Sequence, residues 1–233
     1  MQSKLKETFV INLIIIVMLC ILGGYSQKES IATGLDYNDK PIYNVETQEK
    51  TVSLMINVYQ GEEYLLEYLK LFAKEDIKVT FFIGGCWAAK NIDVVKKIYD
   101  AGHEIGNHGY NHKLHTKLSS EQSQNEIMRT NSLIKEITGK SCTLFAPPSG
   151  DVNSTVVLDA KKCGMTTIMW SADTIDWRDQ DVNKIYNRVE RNLKPGMLVL
   201  MHPTKATLEA LPQIILLLKS QGYQFKTVGK HIK

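Results

Sequence analysis

The sequence predicts an α/β domain of about seven parallel strands in a barrel-like sheet. Three observations predict it. From Thr51 onward, short β-branched and aromatic runs alternate with longer stretches carrying apolar residues at three- and four-residue spacing. Strand–helix–strand connections of this kind build parallel sheets with right-handed crossovers. The residues that follow the apolar runs are also unusually chemical: Asn57, Val58 and Tyr59, Gly84 and Gly85, His108 to His112, Pro147 to Ser149, Asp173, Asp176 and Trp177, and His202 with Pro203. In a parallel barrel the carboxyl ends of the strands converge on one face, and chemistry collects there.

The elements follow in order. Lys4 and Lys6 precede an apolar run over residues 9–22, broken by Asn12 and followed by Gly23-Gly24, so residues 1–26 read as a signal anchor or signal peptide. The run is shorter than the roughly 20 residues of a comfortable membrane span. No Ala-x-Ala site follows it, which favours the anchor. The lysines would hold that end in the cytoplasm. The expected location is therefore the cell membrane, through a single amino-terminal pass with the domain outside, or secretion if the leader is cleaved. Residues 27–50 are polar and broken by Gly34, Asn38 and Pro41, as in a linker. The domain proper is expected over residues 51–228, with a tail at 229–233. Its strands are expected at 52–58, 79–83, 104–107, 144–146, 166–170, 198–201 and 224–227. Its helices are expected at 62–74, 92–101, 120–138, 154–163, 182–193 and 207–221. Ser119 with Gln122 forms a capping box, and Gly139 and Gly164 stand where helix ends favour a left-handed residue.

Composition excludes other classes. With 233 residues and 43% apolar content the chain can bury a full core. The net charge of +3 is spread without a basic stripe, so nucleic acid is not an expected partner. Cys86, Cys142 and Cys163 are widely spaced with no C-x-x-C pair, which argues against a disulfide framework or a cysteine-bound zinc and leaves them as packed thiols.

The densest chemistry lies in Glu104-Ile105-Gly106-Asn107-His108-Gly109-Tyr110-Asn111-His112. If Gly109 to His112 forms a helical turn, His108 and His112 stand at i and i+4, where two imidazoles reach one divalent cation. Spacing alone equally fits two histidines sharing a solvated helix face.

Five motifs then occur in order: Thr80-Phe81-Phe82-Ile83-Gly84, Gly102-His103-Glu104-Ile105-Gly106-Asn107-His108 through His112, Phe145-Ala146-Pro147-Pro148, Trp170-Ser171-Ala172-Asp173-Thr174-Ile175-Asp176-Trp177, and Leu198-Val199-Leu200-Met201-His202. Together they resemble the polysaccharide deacetylases, the NodB-homology domain or carbohydrate esterase family four. The resemblance implies a distorted (β/α) barrel of about seven parallel strands, and hydrolysis of N-acetyl groups from an N-acetylglucosamine polysaccharide of the cell wall or a related polymer. It implies a divalent metal ion, zinc first and cobalt or nickel as alternatives, held by His108 and His112. His202 would protonate the leaving amine, with Asp176 orienting it. Trp177, Pro147, Pro148 and Asp173 would meet the sugar.

This chain also departs from that pattern. Where the family carries an aspartate pair after the first strand, one the general base and one the third metal ligand, Asn57 and Val58 stand here. Asn57 thus occupies a catalytic position without a base. Ala146 replaces an arginine that would hold the base, and Ser149 replaces a tyrosine. Losing the arginine with its aspartate is coherent, because a buried guanidinium facing a neutral amide would be an uncompensated charge. Two expectations follow. A relocated carboxylate, Glu63 in first place, returns to the metal and activity persists; or the fold binds cell-wall glycan without efficient hydrolysis. Glu62 and Glu63 also suit the first turn of a helix, where acids complement the macrodipole.

Overall fold

A computed structural model describes residues 40–233. The amino-terminal anchor or leader lies outside the described residues; among those described, no helix is long and apolar enough to cross a membrane. In chain order the elements are β1 Thr51–Val58, α1 Glu62–Lys74, β2 Thr80–Ile83, α2 Gly85–Ala88, α3 Ile92–Asp100, β3 Glu104–Asn107, α4 Ser120–Thr138, β4 Leu144–Phe145, α5 Ser154–Lys162, β5 Thr166–Thr167, β6 Ala172–Asp173, α6 Asp176–Asp179, α7 Val182–Arg191, β7 Met197–Met201, α8 Lys205–Ser220, β8 Gln224–Phe225 and α9 Val228–His231.

All strand pairs are parallel, in the order β5-β4-β3-β2-β1-β7-β6, with β8 also pairing β1. β1 is buried along its whole length, as a central strand covered on both faces must be. The continuous run expected at 166–170 is interrupted: residues 166–167 pair with β4 at one end of the sheet, and residues 172–173 pair with β7 at the other. Five peptide steps span at most about 18 Å. The two ends of the sheet therefore lie close together although β5 and β6 do not pair, and the sheet curls into an open half-barrel of seven parallel strands.

Register lines up the carboxyl ends. Asn57 is opposite Phe82, Val58 opposite Ile83, Ile83 opposite Asn107, and Asn107 opposite Phe145. Backbone bonds continue the lacing one step beyond the strands, with Gly84 N donating to Val58 O, His108 N to Ile83 O, and Ala146 N to Asn107 O. Below this rim the core packs Leu65, Tyr68 and Phe72 of α1 against Phe81 and Ile83. The capping box at Ser119 is present in both directions, and Gly139 and Gly164 adopt φ of 77° and 73°.

Two flanking segments join the fold, and one cysteine is placed differently. Residues 41–50 do not merely link: Ile42 N donates to Thr167 O, Met169 N to Ile42 O, and Val45 N to Gly196 O. The cause is apolar contact, since Ile42 and Val45 pack on the cluster around Met55 and Phe82. The expected tail at 229–233 is likewise built in through α9, because His231 bonds Thr51 Oγ1 at 2.7 Å and Ser53 Oγ at 2.8 Å. Cys86 is exposed rather than packed; Cys142 is buried, its thiol pushed up to about 12 by burial, and Cys163 is partly buried.

Two buried histidines outside the rim tie stability to pH. His103 accepts a bond from Val79 N and meets the edges of Phe72 and Phe81, while His231 sits on its two hydroxyls. Burial lowers both to about 4. Above pH of about 6.5 they are neutral whether the chain is folded or not. As pH falls from there toward 4, the unfolded chain takes up protons that the fold refuses, and stability is lost. Thermal unfolding followed by circular dichroism should show Tm falling across that window, with a shallower slope in His231→Gln. An unchanged slope in the variant would remove His231 from this account.

Candidate functional site

The loop after β3 is set by side chains, not by helical hydrogen bonds. Asn107 is fully buried; its Nδ2 donates to Ile127 O at 2.8 Å and its Oδ1 accepts from Gly109 N at 2.9 Å. Glu126 of α4 then gathers the loop, accepting from Tyr110 N, Asn111 N and Asn111 Nδ2 at 3.0, 2.6 and 2.7 Å, with Lys113 at 3.4 Å. Residues 109–112 form no helical turn, contrary to the spacing argument: φ is 70° at Gly109 and 55° at His112. The imidazoles nevertheless meet, with ring centroids of His108 and His112 5.1 Å apart. His108 Nδ1–H donates to Ala146 O at 2.7 Å, which leaves Nε2 for the hollow. Burial, with His112 beside it, lowers His108 to about 3; burial and then His202 lower His112.

The opposite wall is built on Asp176, which has no exposure. Its Oδ1 accepts from His202 Nδ1 at 2.7 Å, and its Oδ2 accepts from His202 N and from Thr207 Oγ1, both at 2.6 Å. Tyr68 of α1 donates to His202 O at 3.0 Å. The turn that delivers Asp176 is costly: Ile175, a β-branched residue, holds φ of 50°. Gly61 is needed against Pro203, because a Cβ there would stand 2.2 Å from Pro203 O and φ is already 81°.

These walls enclose a cavity of about 360 Å³. Asn57, His108, His112, Asp173, Trp177 and His202 line it, with Asp176 directly behind His202. Two expectations are corrected. Glu63 is exposed on the first turn of α1 and takes no part in the lining, because the left-handed Gly61 starts the helix with its acids turned to solvent. Pro147 and Pro148 are buried behind the wall, with Pro148 against Gly109, and the surface they would have offered comes from Ser149 and Gly150.

Sequence reasoning placed Tyr59 at a strand end and Trp170 in a motif but gave neither a role in the site, and it did not name Gly150. Tyr59 follows β1 directly and lies centrally, its ring 3.9 Å from that of His112, 6.3 Å from His108 and 6.4 Å from His202. Burial and then the Asp176 charge push its phenol up, so it stays neutral. Its position just beyond a buried strand was the available signal. Trp170 lies against Gly150, where an added Cβ would come within 2.7 Å of the indole. Glu126 and Thr207, which hold the two walls, carried no signal because they are remote in sequence from what they hold.

The donor set falls short of the metal ion that the resemblance implies. Two imidazoles are present, but a protein zinc site calls for a third ligand. Val58 has none to give, Asn57 is an amide with Oδ1 buried and unpartnered, and both oxygens of Asp176 are taken. Among the described residues no three His, Cys, Asp or Glu side chains are grouped so as to hold a metal ion. The residues present do not fit the expected site.

Comparison with known proteins places this geometry. The family model described as Polysaccharide deacetylase matches residues 44–168, more than half of the chain. A peptidoglycan-N-acetylglucosamine deacetylase of Bacillus cereus is 33% identical over 197 residues, covering 82% of this chain and 92% of its own length. YlxY of Bacillus subtilis is 37% identical over 204 residues and 88% of this chain, which spans only 64% of that relative's length. The crystal structure of BA3943, a CE4 family pseudoenzyme from Bacillus anthracis, is 41% identical with a TM-score of 0.82, over 85% of this chain and 70% of that one. A mutant of BA3943 described as having restored enzymatic activity superposes equally well, with a TM-score of 0.82 at 39% identity over 85% of this chain and 73% of its own. On the match to its family model and to the deacetylase of Bacillus cereus, the chain belongs to the polysaccharide deacetylase family.

Proposed function

We propose that this chain takes an N-acetylglucosamine polymer of the cell wall, in the first place peptidoglycan, into the hollow and holds it without efficient hydrolysis. The observation that carries the reading is the carboxylate-free half of the site. Asn57 cannot take a proton from water, Val58 cannot ligate, and Tyr59 stacks on one of the two imidazoles that would bind the cation. Trp177, 55% exposed at the mouth, offers a flat face to a sugar ring. Similarity to a CE4 pseudoenzyme supports the same reading. The amino-terminal apolar run, acting as an anchor, would keep the domain outside the cell beside that polymer.

A second reading keeps deacetylation, and the Asp176–His202 pair favours it. A histidine held at 2.7 Å from a buried carboxylate, with Nε2 free for the hollow, is the arrangement that donates a proton to a leaving amine. Two imidazoles and water would then have to hold a zinc, cobalt or nickel ion without a protein carboxylate.

Acetate release from N-acetylglucosamine oligomers, with each metal supplied in turn, separates the two readings when paired with calorimetric titration. The chain should bind the oligomer and release little acetate. Asn57→Asp/Val58→Asp should retain a stoichiometric divalent ion and raise release by on the order of 100-fold, the usual contribution of a placed base. A wild-type rate that the double variant does not exceed would decide for the second reading. In the double variant, adding His202→Ala should return acetate release to the starting level while changing oligomer Kd by less than about threefold, since the proton donor acts after binding. Undiminished release would exclude His202 as the donor.

A further inference from the structure

We infer that the end of the sheet opposite the hollow is a docking face for anionic phospholipid headgroups, and that docking there turns the hollow away from the bilayer. The inference rests on reading the amino-terminal apolar run as an anchor. The strands lead from this face to the hollow: β1 leaves it at Thr51, which bonds His231, and delivers Asn57 to the cavity wall. Its eight residues separate the two ends by roughly 23 Å.

A groove opens at this end between residues 40–47 and the segment around α9. Lys40, Lys226, Lys230 and Lys233 line it. Lys50 and Lys194 are exposed beside it, the first next to Glu49 and the second just before Gly196, whose carbonyl accepts from Val45 N. The acids of the lining are Glu46 and Glu49, and Glu49 already lies 3.2 Å from Lys226. Among the described residues no ion pair engages Lys40, Lys194, Lys230 or Lys233, so the face carries an excess of solvated positive charge. Tyr43, 48% exposed on the same groove, adds an aromatic ring with a polar tip, a side chain that settles at headgroup depth.

The point of entry selects the occupant. Lys40 is both a wall of the groove and the residue at which the preceding chain joins the domain. Residues 23–39, between the apolar run and Lys40, can span no more than about 60 Å. A bilayer holding the anchor is thereby kept within reach of this face, whereas a soluble polyanion is not. Attraction of exposed lysines to an anionic surface fades over a Debye length of about 8 Å, and the tether raises the effective concentration that makes such a weak contact count.

The test places the full chain in nanodiscs of phosphatidylcholine alone or mixed with phosphatidylglycerol, and follows the reaction of each lysine with an acylating reagent by mass spectrometry. On the anionic discs Lys40, Lys230 and Lys233 should react at least about threefold more slowly than on the neutral ones, with the difference lost in high salt. Lys205, at the hollow end of α8, should react equally on both. Lys230→Glu/Lys233→Glu should remove the protection of Lys40. Equal rates on the two discs, or equal protection of Lys205, would overturn the docking face. Equal protection by soluble poly(glycerol phosphate) on neutral discs, at matched phosphate, would also overturn it and give the face to a wall polyanion. A chain that stays with neither disc would overturn the anchor reading, and the inference with it. The wild-type comparison stands even if the variant unfolds.

Discussion

A carboxylate with no access to water governs this architecture. Asp176 is held in the interior by three donors that converge on it, two from His202 and one from Thr207. Removing any one would leave a buried charge short of compensation. That requirement fixes where β7 ends, where α8 begins and how the strained turn at Ile175 is placed. The wall is therefore held independently of whatever occupies the hollow, which explains how its geometry persists when the facing carboxylates are absent. A site assembled around a cation would have no such reserve.

The facing wall is organised by a different means. Its histidines sit on a loop with positive φ at Gly109 and His112, and the loop is pinned from outside by Glu126 and from beneath by Asn107. Neither pin depends on a bound ion. Both walls thus keep imidazoles in place by hydrogen bonds to protein alone, and Tyr59 fills the space between them with an apolar ring.

Much of this was legible in the sequence because strand ends in a parallel sheet are obliged to converge. Asn57, His108, Asp173 and His202 follow or close four separate strands, and register brings them to one rim. Helices 62–74 and 120–138 were likewise fixed by apolar periodicity, and the second also by its capping box. What could not be read depended on partners distant in the chain. The break between β5 and β6 exists because one short run serves both ends of a curled sheet. The ordered stretch at 41–47 reads as polar linker until β5 and β7 are there to receive it. Glu63 looked available because sequence shows proximity to Asn57 but not the turn at Gly61 that sends it outward.

Ala146 serves the site through its backbone. Its carbonyl accepts the His108 Nδ1–H and its N–H donates to Asn107 O, so it still aims the imidazole at the hollow. An arginine there would put a guanidinium in a position that is fully buried. With alanine the residue is fully buried and the wall closes without an unpaired cation. Asn57 in β1 and Ala146 after β4 are both uncharged, so neither places a charged side chain on this rim.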